Sequence, residues 1–378
     1  MSHLGVTLDG DEAASAASRP GPDSIAGPVA ATSILVVIPT LNEAATIKRV
    51  LNELHEDLPL TARVRFVVCD GGSTDGTQEI VRGIAGDRPT VMLLHNAKRL
   101  QSAAVNLAVR ALGEDTDFLV RCDAHAYYPK GYVAKLVASL GANRADAVVV
   151  PMDSRGDTCL RRAVAWVSDS IVGSGGSAHR GGQKSGYVDH GHHAAFRMES
   201  FVRAGGYDET FTHNEDAELD CRQRALGSRI YLDAGIRLDY LPRGTWVTLS
   251  RQYFNYGRGR SRTVRRHPSS LRLRQMVVPI HVAGCMAALA ILPWSAWPML
   301  LPGVYVAVLA LVGLTVSVKR RNPCGLLCGP AAAVMHVSWA AGLFWGLISL
   351  REQPWSAANA RPLEPPSVAA RALQRSAR

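Results

Sequence analysis

The 378-residue sequence predicts an α/β domain, a mostly parallel sheet covered by helices, followed by C-terminal transmembrane helices. Three observations carry that prediction. Residues 33–250 alternate short apolar runs with helical stripes, the pattern of parallel strands joined by helical crossovers. Residues 275–318 and 322–350 contain no Asp, Glu, Lys or Arg. The formal charge of +10 gathers at the edges of those uncharged stretches. Residues 251–274 hold eight Arg and no acid, Lys319–Arg321 add three charges, and residues 351–378 carry a net +3, while residues 31–250 sum to −1. A nucleic-acid binder carries its excess charge on the folded domain. Here the basicity flanks apolar segments, which points to a membrane partner and to no nucleic acid.

The elements follow in order. Residues 1–30, rich in Ala, Gly, Ser and Pro and net acidic, read as a disordered leader with no basic-then-apolar signal order. Ile34–Ile38 is a continuous apolar run, as a strand buried on both faces requires. Glu43–Asp57 places apolar residues at 47, 50, 51 and 54, a helical stripe. Val64–Cys69 is a second strand and Thr77–Ile84 a helix behind a glycine-punctuated loop. Val91–Leu94, Phe118–Arg121 and Ala147–Val150 are further strands, with Gln101–Leu112 a helix. The domain is placed at 31–250, a basic interfacial segment at 251–274, and a transmembrane region at 275–350. One span needs about 20 residues, so spans are expected near 276–294, 299–318 and 330–350, with a flexible tail at 351–378. The positive-inside rule puts 251–274 in the cytoplasm, and Lys319–Arg321 with it if the first two spans form a hairpin. Whether 322–350 crosses, or dips in and returns, stays open.

Composition narrows the class further. At 47% hydrophobic and 20% charged, the chain is not a disordered one. Its seven cysteines are odd in number, sparse and without CxxC spacing. A disulfide scaffold and a four-cysteine zinc site are therefore not expected, and a reducing compartment is.

In open α/β sheets the ligand sits beyond the carboxyl ends of the strands, and polar clusters lie at those ends. The first strand closes in Pro39-Thr40-Leu41-Asn42-Glu43, the second in Asp70-Gly71-Gly72-Ser73-Thr74-Asp75-Gly76-Thr77. Each alone is turn and helix-cap chemistry; together they outline a polar pocket. Neither is a GxGxxG or a Walker loop, so dinucleotide and P-loop readings recede. Lys98 and Arg99, after the third strand, are either phosphate contacts or surface charge. The fourth strand ends in Arg121-Cys122-Asp123-Ala124-His125. Asp123 and His125 can face one ion there, Asp favouring Mg²⁺ or Mn²⁺ and His shifting the preference toward Mn²⁺. Residues 173–193 read as a flexible, glycine- and histidine-rich substrate loop containing His190, His192 and His193, with zinc binding as a competing reading. Four carboxylates, Glu215, Asp216, Glu218 and Asp220, open a helix. They favour the positive end of its dipole, or supply a general base. In Arg251–Arg260, Gln252 and Arg258 can reach a pyrophosphate, or the segment lies in the interface plane.

Taken jointly, PTLNE at 39–43, DGGSTDGT at 70–77, DAH at 123–125, GGYDE at 205–209, NEDAELDCR at 214–222 and QYFNYGRGR at 252–260 resemble inverting family 2 glycosyltransferases. KRLQSAAVN at 98–106, GGSAHR at 175–180 and VDHGHHAAFR at 188–197 are similar to the bacterial exopolysaccharide enzymes of succinoglycan type. The resemblance covers roughly 33–275 and implies a GT-A fold at the bacterial inner membrane, with its catalytic domain cytoplasmic. It implies a UDP-hexose donor, glucose being the expected sugar, a lipid-linked saccharide acceptor, and a divalent cation, Mn²⁺ or Mg²⁺. Donor contacts would fall on Pro39, Thr40, Asn42, Glu43, Asp70, Ser73, Lys98, Arg99, Asp123, Gln252 and Arg258. The metal would fall on Asp123 and His125, and the acceptor side on His190, His192, His193 and Glu215. Asp216 would be the base. The family's Asp-x-Asp is Asp-Ala-His here, and its QxxRW is absent, which implies addition of one or a few sugars. Dolichol-phosphate-mannose-type transfer and a non-catalytic nucleotide-sugar scaffold are the alternatives. Deleting everything after residue 275 is expected to leave a soluble, UDP-binding domain.

Overall fold

The computed structural model describes residues 32–58, 61–176 and 183–364; the leader at 1–30 and most of GGSAHR lie outside them. The strands are β1 (Ser33–Thr40), β2 (Arg63–Asp70), β3 (Val91–His95), β4 (Phe118–Arg121), β5 (Ala147–Val150), β6 (Met152–Ser154), β7 (Gly186–Tyr187), β8 (His192–Arg197), β9 (Ile230–Leu232) and β10 (Leu238–Tyr240). The domain's helices are α1 (Ile47–His55), α2 (Thr77–Asp87), α3 (Gln101–Leu112), α4 (Tyr132–Ala142), α5 (Cys159–Ser168), α6 (Ile171–Ser174), α7 (Met198–Arg203) and α8 (Glu215–Ala225). Then come α9 (Trp246–Arg266), α10 (Val277–Ile291), α11 (Leu300–Arg320) and α12 (Cys328–Ser349).

Eight strands form one sheet in the order β3-β2-β1-β4-β8-β5-β9-β7, and β10 pairs with β6 in a second. β1 is parallel to both β2 and β4, and β2 to β3. β1 is buried at every position. Its successive side chains point to opposite faces: Ile34, Val36 and Ile38 pack with Val50, Leu51 and Leu54 of α1, and Leu35 and Val37 with Ala104, Val105 and Ala108 of α3. The apolar run is continuous because helices cover both faces.

Three expectations are corrected. The histidine run is not a flexible loop at its end: His192 and His193 begin β8, a central strand antiparallel to both β4 and β5. Residues 351–364, expected within a flexible tail, fold back on the domain, where Leu363 joins the core formed by α3, α7 and α8. And against the expected reducing compartment, though without forming a disulfide scaffold, Cys159 of α5 is bonded to Cys324, with Cα atoms 5.0 Å apart. The other five cysteines are free.

Among the described residues, three apolar stretches are long enough to cross a membrane: Leu273–Ile291, Trp297–Arg320 and Pro323–Ser349. The third differs in its surroundings. In its most apolar window 44% is buried in the protein, against 11% for each of the others. Cys328, Ala331, Ala332 and Met335 of α12 share a cluster with Ala163, Val164 and Val167 of α5 and Leu249 of α9.

Candidate active site

The carboxyl ends of β2, β1 and β4 lie side by side, with Asp70 opposite Thr40 and Arg121 opposite Val37. Asp70 is the hub of the first half of the site. Its carboxylate accepts from the Gly72 and Ser73 amides at 2.9 and 2.8 Å, from the Ser73 and Thr40 hydroxyls, and from Gln78 Nε2 at 2.7 Å. Burial alone would raise its pKa; the donors from Ser73, Gly72 and Thr40 outweigh that and hold it below the usual range. Asn42 ties the two loops together, its amide donating to the Ser73 hydroxyl and its Oδ1 accepting from the Thr74 amide. Arg99, at φ 55°, lays its guanidinium over Gly72, 3.3 Å from where a Cβ would stand. Lys98 pairs with Glu209 at 2.5 Å, and Glu209 also binds Arg110 and Asn106.

The second half is built around Arg121, a buried cation among three carboxylates. Asp216 Oδ1 lies 2.5 Å from it, Asp123 and Glu215 each 3.8 Å. Asp123 follows β4, while Glu215 and Asp216 open α8, where the helix dipole favours negative charge. Burial opposes ionisation of Asp216, but the charges of Arg121 and then His193 hold its pKa well below normal. Glu215 goes the other way: burial first, then its ionised neighbour Asp216, push it up to about 7. Two adjacent carboxyls are thus driven apart, Asp216 toward the ionised form and Glu215 toward the protonated one.

The other two acids of α8 serve the structure. Glu218 is enclosed by Arg222, His267 and Arg266. Asp220 bridges two histidines, accepting His193 Nε2 and His190 Nδ1 at 2.7 Å each. The β4–β8 register pairs Phe118 with Arg197 and Val120 with Ala195, and β8 shifts register against β5 between Ala195 and His193. His192 Nε2 lies 3.7 Å from Asp123. His193 is fully buried, 2.8 Å from the Tyr207 hydroxyl and 3.2 Å from Asp216. Burial would depress its pKa, but Asp220 and Asp216 raise it to about 10.

His125 Nδ1 contacts Glu43 Oε1 at 3.0 Å, and His125 and Asp123 also feel each other's charge; among the described residues no three His, Cys, Asp or Glu side chains are arranged to hold an ion. Gln252 donates to the Tyr240 and Tyr256 hydroxyls, at 3.2 and 3.0 Å. Arg258 and Arg243 both face His213, lowering its pKa further after burial, and Arg243 also acts on His125. Arg121, Tyr207, Gln78 and Arg243 were not singled out from sequence. Only Arg121 left a clear signal there, a charge ending an apolar strand.

A glycosyl transferase family 2 model matches residues 35–204. The succinoglycan biosynthesis protein ExoA of Rhizobium meliloti (strain 1021) is 46% identical over 325 residues, 85% of this chain and 97% of that one. The chain is a family 2 glycosyltransferase. A second relative of this glycosyltransferase, 22% identical over 83% of the chain and 97% of its own length, is a dolichyl N-acetyl-alpha-D-glucosaminyl phosphate 3-beta-D-2,3-diacetamido-2,3-dideoxy-beta-D-glucuronosyltransferase of Methanococcus voltae. Among solved structures, mannosyltransferase PcManGT from Pyrobaculum calidifontis, in complex with GDP-Man and Mn²⁺, superposes with a TM-score of 0.53 at 21% identity, over 84% of this chain and 88% of that one. The glycosyltransferase thus has the expected GT-A fold, and its sheet is the mixed, mostly parallel one described above.

Proposed function

We propose that this glycosyltransferase moves a hexose from a UDP-sugar to a lipid-linked saccharide, with inversion, in exopolysaccharide synthesis at the bacterial inner membrane, its catalytic unit cytoplasmic. One arrangement supports the reading: Asp123 and the Glu215–Asp216 pair converge around Arg121 at the end of β4, with Asp70 at the end of β2 on the far side of β1, in a chain 46% identical to a succinoglycan biosynthesis protein. The Methanococcus relative is named for transfer to a dolichyl-phosphate-linked sugar, which accords with a lipid-linked acceptor.

The uracil and ribose would lie against Thr40, Asn42 and Asp70, beside the Gly71–Gly72 turn on which Arg99 packs. Arg99, Arg243 and Arg258 would meet the diphosphate. Asp123 would hold a divalent cation. Its carboxylate meets Gln101 at 3.4 Å, His192 at 3.7 Å and Arg121 at 3.8 Å, long contacts for so buried a group, so it fits a Mn²⁺ or Mg²⁺ that takes most of its shell from diphosphate and water. Such an ion supplies charge neutralisation for the leaving diphosphate. Asp216, kept ionised by Arg121 and His193, takes the proton of the acceptor hydroxyl as its oxygen attacks the anomeric carbon from the face opposite the diphosphate. A single displacement needs no covalent nucleophile, and an α-linked donor gives a β-linked product.

The test is transfer from labelled UDP-glucose, UDP-galactose and GDP-mannose to a polyprenyl-diphosphate-linked sugar and to polyprenyl phosphate, in Mn²⁺ and in EDTA, by the full chain in detergent. Metal-dependent transfer from a UDP-sugar to the lipid-linked sugar is expected. Asp216→Asn should lower kcat by at least ~10²-fold, the scale of a general base, with UDP affinity unchanged. Transfer by Asp216→Asn at the parent rate would remove Asp216 as the base. Transfer only to polyprenyl phosphate would replace the acceptor.

A further inference from the structure

We infer that α12 does not cross the bilayer but lies beside α9 at the membrane surface, the outer apolar face of the pair resting on lipid. Its length does not decide the matter, since 22 residues span about 33 Å as a helix. Its attachments do. At its start, Cys324 is joined to Cys159 of α5, Cys328 Sγ lies 3.7 Å from the Ala163 carbonyl, and His336 Nε2 lies 2.7 Å from the Val172 carbonyl. At its end, Arg265 of α9 donates to the Gly346 and Leu350 carbonyls. Glu352 is held by Arg262 and Arg266, and the Leu363 amide donates to the Val202 carbonyl at 2.8 Å. Both ends of α12 are thus fastened to the same catalytic unit.

Between those ends α12 runs parallel to α9 in continuous contact. Ser250 meets Ser338 at 2.9 Å, Gly342 abuts the Phe254 carbonyl, Gly257 abuts the Trp339 carbonyl, and Gly346 abuts Ser261. Whatever depth α12 takes, α9 takes with it. α9 carries Arg251, Arg258, Arg260, Arg262, Arg265 and Arg266 in 21 residues, and each Arg costs ~2.5–3.5 kcal/mol at the centre of a span. A surface position removes that conflict. The outward side chains suit it: Trp246 and Val247 on α9, and Val337, Phe344, Trp345 and Ile348 on α12, are exposed. Arg251, Arg321 and Arg351 are exposed too and match the anionic headgroups of a cytoplasmic leaflet. The α10–α11 hairpin is then the part that reaches into the hydrocarbon, through the side of it turned away from α12; Leu309 of α11 joins the α5–α12 cluster and Tyr305 meets His336 at 2.9 Å.

The inference uses the membrane association proposed above but none of the chemistry, and the test separates them. Membranes carrying the full chain, Arg351→Lys, are washed with alkaline carbonate. A membrane-impermeant sulfonated amine reagent is then applied to spheroplasts and to inverted vesicles, and labelled lysines are read by mass spectrometry. Lys130 marks the catalytic unit, Lys319 precedes α12 and position 351 follows it; detergent-solubilised protein calibrates the reactivity of each. All three should label in inverted vesicles and none in spheroplasts. Labelling of Lys319 and position 351 from opposite sides would show a crossing helix and overturn the inference. Release of the chain by the wash would overturn the membrane reading and this inference together.

Discussion

His193 shares its environment with two buried carboxylates, and its proton holds them together. Its pKa is about 10 in the fold against 6.5 when exposed. A raised folded pKa gives stability that is complete below pH 6.5 and is lost as pH rises through 10. Asp216 and Asp220, held low in the fold, act in the opposite sense: their contribution is present above their unfolded pKa and lost as pH falls. Between pH 7 and 10 the His193 contribution is therefore the one that declines. His193→Gln should cost ~3–5 kcal/mol at pH 7, as breaking a buried charge pair does, and should flatten the fall in Tm between pH 7 and 10. Equal slopes for variant and parent would show that another group governs that range. Sequence reading found Asp123 and Asp216 because acidic residues at strand and helix ends are a local pattern. It could not find the His193–Asp220 pair, 27 residues apart, because that contact exists only once β8 is threaded between β4 and β5.

Elements that bury a regular pattern were legible, and those that depend on a partner were not. The stripe at 47, 50, 51 and 54 is the buried face of α1, and the apolar runs at 34–38 and 64–69 lie within β1 and β2. β8 was hidden by its composition: two histidines open it, both occupied by carboxylates on other elements. The α9–α12 contact was hidden because its signal is missing side chains. A Cβ on Gly342 would stand 1.9 Å from the Phe254 carbonyl oxygen, and one on Gly257 2.0 Å from the Trp339 carbonyl oxygen. No real Cβ tolerates that, so Gly342→Ala must part the helices. Overpacking of this kind costs ~1–3 kcal/mol, to be read as a lower Tm of the full chain in detergent. Gly303→Ala on α11 is the control, since nothing lies within 4 Å of its Cβ; it should be neutral or stabilising by up to ~1 kcal/mol. Equal losses in the two variants would mean that the close approach at Gly342 carries no weight.

On the scale of the whole molecule, the sequence suggests a catalytic domain that ends before the first apolar stretch, so that deletion after residue 275 leaves it intact. The structure distributes the domain's support differently. Leu249 of α9 and Ala163, Val164 and Val167 of α5 are buried by residues of α11 and α12. Arg262 and Arg266 depend on Glu352, and Leu363 completes a core otherwise formed by α3, α7 and α8 against the sheet. None of this was visible as pattern, since one Glu and one Leu in a Pro- and Ala-rich stretch have no periodicity. Three truncations separate the two views. Ending the chain after Glu364 keeps every described contact and should leave Tm unchanged. Ending it after Leu350 removes one buried leucine, ~1.5–3 kcal/mol, and leaves two arginines without their shared carboxylate, so Tm should fall by several degrees or more. Ending it after Gln275 also bares the α5–α9 surface, and the fragment should aggregate on size exclusion rather than elute as a UDP-binding monomer. A monodisperse, UDP-binding fragment ending at 275 would show that α9 stands on the catalytic unit alone, and that α12 and the returning tail are held by the domain without supporting it.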